Sequence, residues 1–379
     1  MRIPPHYVSR FALHFSPCQW RSRFSKMTEP FRVSEIHLRD FITAAFEKTG
    51  LPIADARTMG ELMAAADLQG SDGHGVIRLI PYIRRFKAGG VNLNPDIRVI
   101  KEKAAMALID GDNGMGHLVM KRAAELAIGK AKTAGTAWVG SVHSNHAGPA
   151  SLYARMVADA GMVGLYFAVG NANHLPPWGG LSMLLSTNPI ACAIPGYEEG
   201  PVVLDMATTV ASFGKVKAYA QQGKMMPEGW MVEKDGRPLL DPKRADEGFL
   251  LPVGGYKGYG LSLIIGLLAG SLNGAAMGRE VIDFNNTVND ATPTNTGQAI
   301  MAIDPDAFGD AEEFKQRVDT VVRDIRASER MPGVERVWMP GEQSNAKKVD
   351  YAKNGIPIPA VLKINLDKLA GELGIGKLE

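Results

Sequence analysis

Two histidines three residues apart, His143 and His146, stand in the stretch V-H-S-N-H-A-G (142–148). The residues before it read as a buried strand and those after it as an amphipathic helix. Imidazole titrates near neutral pH, and a strand-to-helix junction holds a side chain between two rigid elements, so this is a place to mount a proton-transfer group. A second group lies upstream, where His74, Arg78 and Tyr82 recur every four residues in and after G-S-D-G-H-G-V-I-R (70–78). A guanidinium grips a carboxylate through two parallel hydrogen bonds, and imidazole and phenol can polarise a carbonyl or hydroxyl oxygen. The set suits a 2-oxo acid. The same residue types also serve as turn caps, as a surface Arg and as a Tyr lying along the surface with its hydroxyl in water.

Other chemistries find less support. The nearest approach to a dinucleotide fingerprint, Gly114-Met115-Gly116 followed by His117-Leu118-Val119, lacks the third glycine, and no G-x-x-x-x-G-K-[ST] or G-x-S-x-G occurs. His143 and His146 have no third or fourth ligand at supporting spacing, so no metal site is expected. The remaining phosphate cradle is Gly254-Gly255-Tyr256-Lys257-Gly258 at the mouth of an apolar helix, where glycines let the backbone approach an anion and Lys257 adds charge. Asp205, at the end of an apolar strand in L-D-M-A-T-T, is a second candidate for cofactor contact.

The positioning elements follow from periodicity. Apolar residues at 38, 41, 42 and 45 predict a helix capped by Ser34 and stopped by Gly50, and a second helix is expected over 55–68. Pro81 opens a predicted helix to Lys87 at its first position, which weakens the idea that His74, Arg78 and Tyr82 stack on one continuous helix. An α/β alternation comes next: strand 106–109, the turn D-G-D-N-G-M-G, a helix through Lys132, strand 136–142, helix 149–160 and strand 162–169. From Gly170 to Thr208 the chain is rich in Gly, Asn and Pro and reads as binding loops around strands 190–194 and 202–206. Helix 210–220, a polar excursion over 223–249, helix 261–272, strand 299–303, helix 311–326 and a final helix 365–373 complete the reading.

With 45% apolar and 22% charged residues, the composition is that of an ordinary globular protein. No apolar run approaches the roughly 18 residues of a membrane span. Residues 1–26 carry five Lys/Arg and no acid, leaving 37 basic and 40 acidic residues elsewhere, a net −3 that gives no sign of nucleic-acid binding. This extension reads as lying before the true start at Met27, with an organellar transit peptide as the competing reading. Cys18 and Cys192 suggest neither a disulfide framework nor a zinc site, and a reducing, cytoplasmic compartment is expected.

Taken together, D-G-H-G-V-I-R (72–78), S-N-H-A-G (144–148), S-T-N-P (186–189), L-D-M-A-T-T (204–209), G-K-V (214–216), G-G-Y-K-G-Y-G (254–260) and M-P-G-E (339–342) resemble the type 2 malate/L-lactate dehydrogenase family. These are NAD(P)-dependent reductases of 2-oxo acids, with ureidoglycolate, sulfolactate, diketogulonate and piperideine-carboxylate enzymes among them. The resemblance implies an α/β, non-Rossmann fold: a largely antiparallel or mixed sheet covered by helices, with an N-terminal helical lobe, acting as a homodimer. It implies one catalytic unit over 27–379, with a substrate lobe at about 31–105, a cofactor part at about 106–300 and a C-terminal part at about 301–379 packing back on the core. His146 would be the general acid/base, donating as an imidazolium, and His74 and Arg78 would orient the substrate with Tyr82, Ser144 and Asn145. NAD or NADP would lie against Gly170, Asn171, Asn188, Asp205, Met206, Ala207, Gly255 and Lys257, with Arg317 toward the adenosine end.

The family commonly has Ser at 73, a bulky residue at 147 and Glu at 266, where this chain has Gly73, Ala147 and Gly266. These departures imply a substrate other than plain malate or lactate, larger or carrying a second polar group, with Ala147 enlarging the pocket. Reduction of an imine carboxylate and non-catalytic nucleotide binding are the alternative functions.

Overall fold

The computed structural model describes residues 31–379; the basic extension and Cys18 lie outside the described residues. The chain opens with strand β1 (Phe31–Val33), helices α1 (Glu35–Lys48) and α2 (Ile53–Leu68), a 3-10 turn (Val76–Arg78) and α3 (Leu79–Lys87). Ser34 caps α1 by accepting from the His37 N–H, as its position predicts. Helix α3 starts two residues earlier than expected and takes Pro81 into its first turn, where the missing N–H has no intrahelical partner to lose.

Next come β2 (Arg98–Lys103), β3 (Met106–Asp110), α4 (Gly116–Ala134), β4 (Thr136–Val142), α5 (Ser151–Asp159), β5 (Val163–Ala168), β6 (Ile190–Ile194) and β7 (Val202–Met206). After α6 (Phe213–Gln221), the polar excursion proves to be folded. Strands β8 (Met231–Glu233) and β9 (Gly248–Leu250) pair antiparallel, and Met226, Trp230, Leu239 and Val216 give the excursion a small core of its own. Helix α6 begins at Phe213 rather than at 210 because Ser212 caps it. Helix α7 (Tyr256–Ala269) starts inside the glycine motif, and β10 (Gln298–Ile303), α8 (Ala311–Ala327), α9 (Glu342–Asn354), β11 (Ile356–Ile358) and α10 (Ala360–Leu373) follow.

Among the described residues seven strands form one mixed sheet in the order β2-β3-β4-β10-β5-β6-β7, with β3–β4 its single parallel pairing. β10 inserts between β4 and β5, antiparallel to both. Alternation along β4 and β5 divides the core: Ala137, Val139 and Tyr166 face α4 and α5, while Trp138, Leu165 and Phe167 face α7. A third apolar cluster joins α1, α2 and α3 to Ile356 and Ile358 of β11 and Leu366 and Leu369 of α10, and β1 pairs with β11. The C-terminal segment thereby packs on the N-terminal helices. Among the described residues no helix is long and apolar enough to cross a membrane.

Candidate active site

The loop between β4 and α5 is held by its own sequence. Ser144 and Asn145 are fully buried. The Ser144 hydroxyl donates to Gln298 Oε1 at 2.8 Å, and Gln298 Nε2 donates to the Asn145 carbonyl at 2.8 Å, so β10 fixes the loop from beneath. Asn145 Nδ2 donates to the carbonyls of Asn113 and Gly114, while its Oδ1 accepts from Thr294 at 2.9 Å. Both side chains are thus committed inside the protein, behind the next residue, His146. His143 points elsewhere: its exposed ring pairs with Asp110 at 3.0 Å.

Around His146 the structure gathers side chains from four other segments. Tyr82 of α3 places its hydroxyl 2.5 Å from His146 Nδ1. His74 stacks nearly parallel to His146, with ring centroids 5.3 Å apart. His117, in the first turn of α4, meets Tyr82 edge-on at 5.8 Å and His146 at 6.5 Å. Phe284 closes the cluster 5.9 Å from His146. Arg78 reaches the same place: its Nε donates to the Gly73 carbonyl at 2.7 Å and a terminal nitrogen donates to Asn285 at 3.2 Å. The loop carrying Phe284 and Asn285 is anchored by fully buried Arg85, which donates to the carbonyls of Asn289 and Thr292 and stacks on Phe284. Hence α3 supplies Tyr82 and, through Arg85, also positions the far wall of the site.

Electrostatics keeps these rings neutral. Burial and then the Arg78 charge push His74 down to about 3. Burial, followed by His74, does the same to His117, at about 3. His146 is held well below its usual range by burial, Arg78, His74 and His117, in that order. Burial raises the Tyr82 hydroxyl above its ordinary value, against the pull of Arg78. These surroundings favour a neutral ring at His146: three neighbours and a dry setting oppose the charge of the expected imidazolium. Its Nδ1 also accepts from the Gly148 N–H at 3.3 Å, so with the Tyr82 O–H it faces two donors. The ring proton then belongs on Nε2.

A hydrogen-bond chain leads from this cluster to the predicted cofactor residues. Asn171 Nδ2 donates to Thr296, Thr296 to Thr294 and Thr294 to Asn145. Gly170 N–H donates to Asn188 Oδ1, and Asn188 Nδ2 donates to the Ser262 carbonyl on α7. Asp205 accepts from the Ser151 N–H at the start of α5, the helix that the His146 loop enters; Met206 ends β7, and Ala207 follows it. Gly254 and Gly255 both take φ of +65°, a left-handed backbone that favours glycine, at the N-terminal end of α7 beside exposed Lys257. Arg317 is not drawn in: exposed on α8, it pairs with Glu313 one turn away.

One further sequence reading is revised. Ala147 has its methyl in the core cluster with Leu152 and Tyr153 and does not widen a pocket. His174 lies flat on Phe213, with centroids 4.2 Å apart. The M-P-G-E motif serves as a clamp, in which Glu342 accepts from the Met339 N–H and pairs with Arg326 and Arg336. His117, Phe284 and Gln298 escaped sequence reasoning. Only His117 left a signal, an imidazole at a helix start directly after a glycine turn.

The family model described as malate/L-lactate dehydrogenase matches residues 33–366. The chain is 38% identical to a malate dehydrogenase of Pyrococcus horikoshii, covering 91% of this chain and 96% of that protein. It is also 38% identical to an L-sulfolactate dehydrogenase of Methanocaldococcus jannaschii, over 89% of this chain and 96% of the other. The solved structure of sulfolactate dehydrogenase from that organism superposes with a TM-score of 0.84 at 36% identity, covering 91% and 98% of the two chains. A Pseudomonas putida Delta(1)-pyrroline-2-carboxylate/Delta(1)-piperideine-2-carboxylate reductase is 33% identical over 90% of this chain and 97% of its own. A mixed sheet without a Rossmann fingerprint, a histidine bonded to a tyrosine beside an arginine, and these matches agree: the chain belongs to the malate/L-lactate dehydrogenase family and is a nicotinamide-dependent oxidoreductase of 2-hydroxy and 2-oxo acids.

Proposed function

We propose that this enzyme reduces a 2-oxo acid carrying a second polar group, other than plain oxaloacetate or pyruvate, and that the proton reaches the substrate through a Tyr82–His146 relay. The observation that carries the relay is the 2.5 Å contact between the Tyr82 hydroxyl and His146 Nδ1. Arg78 binds the substrate carboxylate, and His74, stacked on His146, hydrogen-bonds the oxygen to be reduced. The reduced nicotinamide, when bound, supplies a hydride to the carbonyl carbon. Charge then grows on the substrate oxygen, which takes the proton of His146 Nε2, while Nδ1 takes the Tyr82 proton. His146 stays neutral throughout, as its surroundings favour. Oxidation runs the same transfers backwards. Ser144 and Asn145, being buried and fully bonded, act by fixing His146 rather than by touching substrate.

The residues present suit a dinucleotide. The open first turn of α7 at Gly255 and the Lys257 ammonium match phosphate oxygens, and the loop at Gly170 and Asn171, tied to α7 by Asn188, adjoins the histidines. Asp205, Met206 and Ala207 line the neighbouring sheet edge. The cofactor is NAD or NADP, and Arg317 is a site for the adenosine end only if a partner chain or ligand brings it near. The second polar group is supported by the name of one relative, since sulfolactate carries a second anion. The relative named as a pyrroline- and piperideine-carboxylate reductase favours a second reading, reduction of a cyclic imine on the same hydride geometry.

A homodimer is supported by α7, which leaves Leu261, Ile264 and Leu267 exposed on an apolar helix, with Leu272 just beyond. The helical lobe at 31–105, the cofactor part at 106–300 and the C-terminal part at 301–379 are taken as one catalytic unit, and Cys192, unpaired among the described residues, suits a cytoplasmic setting. The deciding assay follows NADH and NADPH oxidation against a panel of 2-oxo acids and cyclic imines. The proposal expects a higher kcat/KM for a doubly polar 2-oxo acid than for any imine. Equal or better values for oxaloacetate or pyruvate than for every other substrate sink the substrate assignment.

A further inference from the structure

His117 is the one imidazole of the cluster that neither the relay nor the carboxylate grip employs. It is fully buried, and among the described residues neither Nδ1 nor Nε2 has a hydrogen-bond partner. Nε2 lies 2.8 Å from where a Cβ on Gly148 would stand, so His117 is pressed against the residue whose N–H bonds His146. A leucine or methionine would fill comparable space with no polar atom left unpaired, and an unpaired buried polar group is costly to keep. Packing alone thus gives no reason for an imidazole here.

The reaction gives one. When Tyr82 passes its proton to His146, a negative charge is left on a buried phenolic oxygen. Arg78 favours that charge, but its guanidinium is engaged by the substrate carboxylate. The remaining polar group in ring contact with Tyr82, besides His146 itself, is His117. We propose that His117 is a positioning residue for proton transfer, staying neutral and turning a ring N–H toward the Tyr82 oxygen while that oxygen is without its proton. The inference rests on the Tyr82–His146 relay proposed above. Protons balance without His117 losing any: Nε2 of His146 gives one to the substrate oxygen, Nδ1 gains the Tyr82 proton, and water returns one to Tyr82 after product leaves. Burial, with His74 beside it, keeps His117 itself uncharged. A neutral donor meeting a phenolate makes a charge-assisted bond, stronger than the same donor makes to a phenol. That difference appears only as the transition state forms, which is the condition for raising kcat rather than affinity.

The test uses the full chain at saturating cofactor. His117→Leu is expected to lower kcat about 10- to 100-fold while KM for the 2-oxo acid stays within about twofold. His117→Gln, which keeps an N–H donor, is expected to recover most of that loss. On a Tyr82→Phe background, His117→Leu should cost nothing further, because the oxygen it serves is gone. If His117→Leu does not fold, His117→Met carries the same expectations. Native kcat in the apolar variants of a chain that Tyr82→Phe does impair would overturn this proposal alone, as would an equal loss on both backgrounds. Native kcat in Tyr82→Phe would overturn the relay and the proposal with it.

Discussion

The Asp67 carboxylate occupies the space into which a side chain on Gly75 would grow: its Oδ1 lies 2.0 Å from the position of a Cβ there. Its Oδ2 accepts from the Val76 N–H at 2.7 Å, so the turn presenting His74 and Arg78 is seated on this one buried group.

Asp67 makes stability depend on pH. Burial raises its pKa to about 8, with Asp72 adding to the rise and the Val76 N–H opposing it. The folded chain therefore holds a proton that the unfolded chain has released above the ordinary Asp range. The stabilisation is full below that range, declines as pH rises toward about 8, and is gone above it. Thermal unfolding at pH 5, 7 and 9 should give a falling Tm, and Asp67→Asn should flatten the trend. An unchanged slope in the variant would exclude Asp67 as its source.

The relay predicts how activity responds to pH and to two substitutions. With His146 neutral, kcat for reduction should be flat from about pH 6 to 8, whereas an imidazolium donor would make it fall across the ordinary His range. His146→Gln and Tyr82→Phe should each lower kcat about 100-fold or more, with the cofactor Kd unchanged in fluorescence titration. Equal loss of turnover and cofactor binding in folded protein would count against an acid/base role.

Arg78 should govern substrate affinity. Arg78→Lys keeps the charge but removes the planar fork, and KM for the 2-oxo acid should rise about 10-fold or more, a loss of about 1.4 kcal/mol. The cofactor KM should stay put. A native substrate KM in this variant would place the carboxylate elsewhere.

The exposed side of α7 should hold two chains together. Ile264→Glu puts a charge at the middle of that apolar stripe and is expected to halve the particle mass in light scattering. A wild-type chain that runs as a monomer at micromolar concentration would end the dimer assignment.

Much of this arrangement was legible in the residues. Strands 136–142, 190–194 and 202–206 have the predicted bounds because runs of β-branched and small apolar residues end at clear turn signals. Helix α9 was missed because it buries none of its residues and so shows no periodicity, and β2 because it is a charged edge strand. In the site, the clustering of His74, Arg78 and Tyr82 could be anticipated from spacing, but not the contact that brings Tyr82 to His146. Gln298 could not be foreseen either, since nothing local distinguishes a buried glutamine at the start of a strand from an exposed one. The electrostatic setting of His146 could not be foreseen, because its proton affinity depends on three neighbours brought in by other segments.

The insertion of β10 between β4 and β5 has a consequence for the order of assembly. β4 and β5 lie within one stretch of chain, yet they cannot be joined until a strand from far downstream arrives between them. That strand brings Gln298, which holds the loop of His146, so this histidine has no fixed address until most of the polypeptide exists. Pairings of such long sequence separation are slow to close. On refolding, helical signal should return well before turnover does, and simultaneous recovery of both would argue otherwise. The young chain is thus expected to be helical before it is an enzyme, its chemistry withheld until the centre of its sheet is filled.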